Sequence, residues 1–255
     1  MTIAIGVLAA LALTSSKPQP TSGTGNPASM LRDRKQAKTI ASLRDVADGR
    51  LYEMTYKADY RLQDFIDADI RSQDMLRMAI PQMLLAVPQE MSMESPKPAC
   101  SAFQAVTPDG DIIYARNFDY HFRDSGTILL HSSPKKAYRS ISLATTSFVG
   151  VNGKDLRDGK TDLSVLMGAP YMQMDGMNEK GFAISVLQLS HRCAIQREPG
   201  RHDIMTSVMM RMLLDRAATV DEALEMLQDY NYWADGEQKG HKVQSNYHFL
   251  LSDAT

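Results

Sequence analysis

Apolar and polar positions change their rhythm several times along the chain. Ile3–Leu13 is a continuous apolar run, followed by Pro, Ser, Thr and Gly residues to Ser29. The run is too short to span a bilayer comfortably. It suits the apolar region of a secretory signal, although nothing basic precedes it. Lys17–Pro27 reads as a linker. Met30–Ala47 reads as a polar helix with a thin stripe of Leu31, Ile40 and Leu43. Leu51–Tyr60 has strand composition. Leu62–Ile70 and Gln73–Leu85 read as short helices, and Pro81 is expected to end or kink the second. Ser92–Pro98 is an extended, Pro-punctuated lead-in to Ala99 and Cys100.

From Cys100 the rhythm is that of strands. Apolar residues alternate through Ala102–Val106, Thr107-Pro108-Asp109-Gly110 supplies turn chemistry, and Ile112–Ala115 is a second apolar run. This predicts a β-hairpin. Thr127–Ser132 and Ser140–Val149 read as strands, Val151–Leu163 as a polar loop. Asp175–Gly181 reads as a turn into the strand Phe182–Leu189, with Asn178 and Gly181 suited to tight backbone positions. Arg192–Arg201 reads as a loop. His202–Ala217 carries an apolar face at helical spacing. Thr219-Val220-Asp221-Glu222 is a capping-box sequence opening a helix Val220–Asp229. Tyr247–Leu251 reads as a strand. Strands, then helices, then a strand predict an α+β fold.

Composition narrows the function. The net charge of −2 argues against a nucleic-acid partner, which would need a basic stripe. Two cysteines, Cys100 and Cys193, are too few for a disulfide scaffold. No metal-ligand spacing is present, and no cofactor is expected. The 17 methionines suit an irregular core or, more sharply, a greasy acyl pocket.

Candidate chemistry gathers at the hairpin. Cys100 opens the first strand, and Arg116-Asn117-Phe118-Asp119 closes the second. Antiparallel pairing brings those ends together, so Cys100, Arg116 and Asp119 are expected to be neighbours. On pattern alone the thiol is equally a small buried hydrophobe, and the arginine and aspartate a solvated pair of little worth. No Cys-Gly-Ser-Cys-Trp run surrounds Cys100, which argues against a papain-like protease.

Those residues, together with Asp175-Gly176-Met177-Asn178-Glu179-Lys180-Gly181-Phe182-Ala183-Ile184, resemble the choloylglycine hydrolase and penicillin V acylase family. Its members are N-terminal-nucleophile hydrolases that cut linear amides. The resemblance covers roughly Cys100 to Thr255. It implies an αββα sandwich, of which this chain would supply about the first half, with residues 30–99 as a mainly helical pro-segment. It also implies that Cys100 becomes nucleophile and base once the Ala99–Cys100 bond is cut, and that Arg116 and Asp119 hold its amine and thiol. Counting from Gly181, Gln188 falls at the oxyanion position, where the family has Asn or Tyr. Asn178 is the other polar candidate there, although it reads first as a turn former. The expected partner is a small N-acyl amide such as a conjugated bile salt, penicillin V or an N-acyl lipid. Export is expected, with a cytoplasmic site as the alternative, and a homo-oligomer remains open. An acyltransferase on the same site and an inactive or split fragment are the competing readings.

Overall fold

The computed structural model describes residues 30–86, 99–119, 125–188, 198–233, 236–238, 241–243 and 247–254. The apolar run, the linker, the Pro-rich lead-in and Cys193 lie outside the described residues. In chain order the elements begin with helix α1 (Arg34–Ile40), strands β1 (Arg44–Asp45) and β2 (Leu51–Tyr56), and helices α2 (Leu62–Asp67) and α3 (Gln73–Leu84). Strands β3 (Ala99–Val106), β4 (Ile112–Asp119), β5 (Thr127–Ser132), β6 (Ser140–Thr145), β7 (Gln173–Asn178), β8 (Ala183–Gln188) and β9 (His202–Met205) follow. Helices α4 (Thr206–Arg216) and α5 (Val220–Leu227) precede strands β10 (Tyr230–Trp233), β11 (Gly236–Gln238), β12 (His241–Val243) and β13 (Tyr247–Ser252). Among the described residues, no helix is long and apolar enough to cross a membrane.

Seven strands make one sheet in the order β1-β2-β5-β6-β7-β8-β13, parallel only between β2 and β5. The fold is therefore α+β. On one face lie α4 and the apolar side of α5; on the other the β3–β4 hairpin crosses β8 and β13. Alternation along β8 shows the division. Ile184 faces Met209 and Leu213 of α4, whereas Ser185 meets Tyr114 of the hairpin.

Residues 30–86 are mainly helical, with α1, α2 and α3, and they pack into the main fold. β2 lies within the main sheet, and its Tyr52, Met54 and Tyr56 share a single core with Ile184, Leu213 and Leu214. Residue 100 thus marks a change in family resemblance without marking a change in packing.

Several boundaries differ from the sequence reading. The first helix is confined to Arg34–Ile40, started by Asp33, whose carboxylate accepts from the Lys35 and Gln36 N–H groups. It ends because the Ser42 hydroxyl captures Thr39 and the Thr55 N–H, steering the chain into β1. Pro81 does not end α3: the helix runs on to Leu84, with Pro81 buried in the core face. The predicted helix from His202 begins four residues later, because His202–Met205 pairs in parallel with β10. Asp175–Asn178, read as the start of a turn, belongs to a strand, Gln173–Asn178, buried almost throughout. Gly176 suits it because an added methyl would meet Leu214 of α4 at 2.7 Å and the Ile141 carbonyl at 2.9 Å. The turn proper lies beyond it, where Gly181 takes φ +88°.

Candidate active site

The hairpin sets the geometry first. Its register pairs Ala99 with Asp119, Cys100 with Phe118 and Ala102 with Arg116. Cys100 is half-buried and free. The Arg116 side chain is only 5% exposed, and its guanidinium makes four contacts with distinct partners. One Nη donates to Cys100 Sγ at 3.2 Å and to the Val186 carbonyl at 2.6 Å. The other donates to the Met174 carbonyl at 3.0 Å and to Asp175 Oδ2 at 2.7 Å. Its plane lies over the Phe118 ring, 4.7 Å from the centroid. The fork shape of guanidinium permits this set; an ammonium could not reach it.

Both carbonyls are free to accept because β7 and β8 part company there. Their pairing ends at Asp175 opposite Ser185. Within β7 there is also a bulge: Leu143 pairs with Asp175 while the next residue, Ala144, pairs with Gln173. Met174 is the extra residue, bypassed by the ladder. In a regular strand Gln173 and Asp175 would share a face. The bulge instead turns Asp175 to the hairpin and Gln173 to α4, where it accepts from Arg211 at 3.2 Å.

Burial pushes the Asp175 carboxyl upward, and the opposing pull of Arg116 and the Leu143 N–H reduces the effect. At 2.7 Å from a permanent cation the carboxylate form is the partner that completes the pair. Tyr114, hydrogen-bonded to Ser185, is pushed up to about 12 by desolvation and keeps its proton at neutral pH.

The expected residues are distributed unequally. Cys100 and Arg116 meet directly. Asp119 is exposed across from Ala99, and its carboxylate accepts from the Asn117 side chain at 3.1 Å. Asn178 is buried and fully engaged in the fold. Its amide donates to the Leu214 and Ala217 carbonyls, and its oxygen accepts from the Lys180 and Phe182 N–H groups. Gln188 ends β8, and alternation puts it with Ile184 and Val186 on the helix side, away from Cys100. Its Oε1 is buried and without a partner among the described residues. Asp175, Met174 and Val186 were not foreseen as a cradle for Arg116. An acidic residue beside a glycine looked like turn chemistry; its flanking methionines were the available sign of a buried strand.

Among the described residues no group of three or more His, Cys, Asp or Glu gathers to hold a metal. The arrangement present is a thiol held by a buried, anchored cation. That suits nucleophilic attack on a carbonyl.

Comparison with known proteins gives the following. The family model described as linear amide C–N hydrolases, choloylglycine hydrolase family, matches residues 100–255. No curated protein matches the chain. Among solved structures, a mutant conjugated bile acid hydrolase from Clostridium perfringens is similar at 18% identity and TM-score 0.41, covering 61% of this chain and 45% of that one. Penicillin V acylase from Agrobacterium tumefaciens is similar at 14% identity and TM-score 0.27, covering 64% and 47% respectively. The chain thus spans less than half the length of either structure.

Proposed function

Because the chain belongs to the choloylglycine hydrolase family of linear amide C–N hydrolases, we propose that it carries the nucleophile of an N-acyl amide hydrolase, Cys100, released by cleavage of the Ala99–Cys100 bond. The single observation that carries this reading is the Arg116 Nη contact to Cys100 Sγ at 3.2 Å, made by a guanidinium anchored on three other partners.

An internal Cys100 has a peptide nitrogen and so lacks a base. Its thiol attacks the Ala99 carbonyl, the peptide nitrogen leaves with a proton, and a thioester forms. Water opens the thioester, giving an Ala99 carboxylate and a Cys100 residue with both thiol and α-amine. An α-amine ordinarily titrates at about 7.7–8.0, so near neutrality a useful share is free to accept a proton. In turnover the amine takes the thiol proton, and sulfur attacks the substrate carbonyl. The ammonium then returns a proton to the departing amine as the C–N bond breaks. Water, deprotonated by the same amine, releases the acid and restores the thiol. Arg116 holds sulfur in line throughout, and Asp119 lies across from the residue on the amine side of the site. Substrates are small N-acyl amides of the bile-salt, penicillin V or N-acyl lipid kind.

Intact-mass analysis and N-terminal sequencing test the maturation step; a panel of acyl amides tests turnover. The expected result is a product beginning at Cys100, with Cys100→Ala neither cut nor active. Activity surviving in Cys100→Ala would overturn the mechanism. Cleavage surviving there would place the cut with an outside protease.

A further inference from the structure

The bulge at Met174 is gripped from both sides by buried arginines, and only one of them belongs to the site described above. Arg211 of α4 has no exposed surface and lies across the sheet from Cys100. Its guanidinium donates to Asp215 at 2.7 Å, to Ser140 at 2.8 Å and to Gln173 Oε1 at 3.2 Å. Tyr60 completes the assembly, donating to Asp215 at 2.6 Å with its ring 5.4 Å from the guanidinium. Gln173 is 2% exposed, yet its Nε2 has no partner among the described residues. An apolar side chain of the same length would avoid that unsatisfied amide but would leave the fully buried Arg211 Nη1 without its acceptor. Gln173 thus ties α4 to β7 at the bulge itself.

We propose that the Arg211–Gln173 contact is a tether that fixes the Met174 bulge, making Gln173 a positioning residue for Arg116 and through it for the Cys100 thiol. Gln173 is held at one end of the bulge and Asp175 stands at the other, with the Met174 carbonyl between them. Two of the four Arg116 contacts are made to that stretch. Were Gln173 released, the bulge could migrate or smooth out. Smoothing by one residue would turn Asp175 to the helix side and withdraw the Met174 carbonyl into the ladder. Arg116 would then keep Val186 and Cys100 but lose the partners that set its angle. The inference rests on the Cys100 nucleophile proposed above, but its readout needs no substrate.

The experiment compares the full chain with Gln173→Met and Gln173→Glu by melting temperature and by the iodoacetamide alkylation rate of Cys100, resolved by mass spectrometry. The methionine variant leaves Arg211 Nη1 without its acceptor and is expected to melt below the parent, while Cys100 alkylates about three- to tenfold more slowly, approaching Arg116→Met. The glutamate variant keeps an acceptor for Arg211 and is expected to restore the rate. Where amide turnover is measurable, the methionine variant should lose kcat by about tenfold with KM little changed. Should the methionine variant not fold, Gln173→Asn, one methylene short of Arg211, carries the same comparison. A folded methionine or asparagine variant with the parent's alkylation rate would overturn the tether, and so would equal slowing in methionine and glutamate variants. A slowed rate in a chain that hydrolyses no amide would support the tether while counting against the hydrolase reading.

Discussion

Arg116 concentrates the site's physics into one side chain. It lies three residues from the end of a strand, yet four hydrogen bonds reach a thiol, two carbonyls and a carboxylate on three other strands. Its worth depends on Asp175, the only charged member of that cradle. Burial raises the Asp175 carboxyl, so between the ordinary carboxylate range and its raised value the native chain binds more protons than the unfolded one. In that window the Asp175 contribution to stability is present at the acid side and falls as pH rises. Asp175→Asn removes this dependence. The melting temperature of the variant minus that of the parent should therefore increase from the carboxylate range toward neutrality. A constant difference across pH would show that Arg116 fully offsets the burial. The thiol and Arg116 were legible in the sequence because hairpin chemistry places the two strand ends together. Asp175 was legible as a residue and misread as an element, because Asp-Gly is turn chemistry wherever tertiary packing does not override it.

Among the elements, β7 departs furthest from its local signals. It has no β-branched residue, contains Gly176, and owes its extended form to neighbours on both edges and both faces. Gly176 lets α4 approach closely: a methyl there would press on Leu214 and on the backbone of β6. Gly176→Ala should destabilise the chain by about 1–3 kcal/mol as α4 is pushed away. Chemical denaturation reads this directly, and an unchanged midpoint would mean that α4 moves freely. The elements with strong periodicity were legible: the hairpin, β5, β13 and the two helices α4 and α5 all lie close to where the apolar pattern sets them. Elements fixed by distant partners were not. The bulge at Met174 has no sequence mark, and β9 is a strand only because β10 lies beside it.

At the scale of the whole molecule, the decisive feature is that the residues before Cys100 supply an interior strand of the main sheet. β2 is flanked by β1 and β5, and Tyr52, Met54, Phe65, Leu76, Ile80 and Leu84 are all essentially inaccessible to water. Each such side chain contributes about 1.5–3 kcal/mol on burial. Together they rival the net stability of a typical domain, about 5–15 kcal/mol. Cutting Ala99–Cys100 should therefore leave the two pieces together. A matured sample is expected to show two bands under denaturing conditions and one unchanged mass under native ones. Loss of the N-terminal piece on native gel filtration would contradict the sheet order.

The parallel pairing of β2 with β5 has a further consequence, in time rather than in space. Parallel neighbours need a crossover, and here the crossover runs through Cys100. While the chain is whole, closing that loop is a unimolecular event whose entropic cost grows only slowly with length. Once the crossover is severed, the same sheet can be rebuilt only by collision of two chains, at a rate that falls with dilution. The uncut chain can return from unfolding at any concentration, whereas the cut one carries the memory of having folded earlier. Maturation would thus convert an equilibrium fold into one whose persistence is set by how slowly it opens.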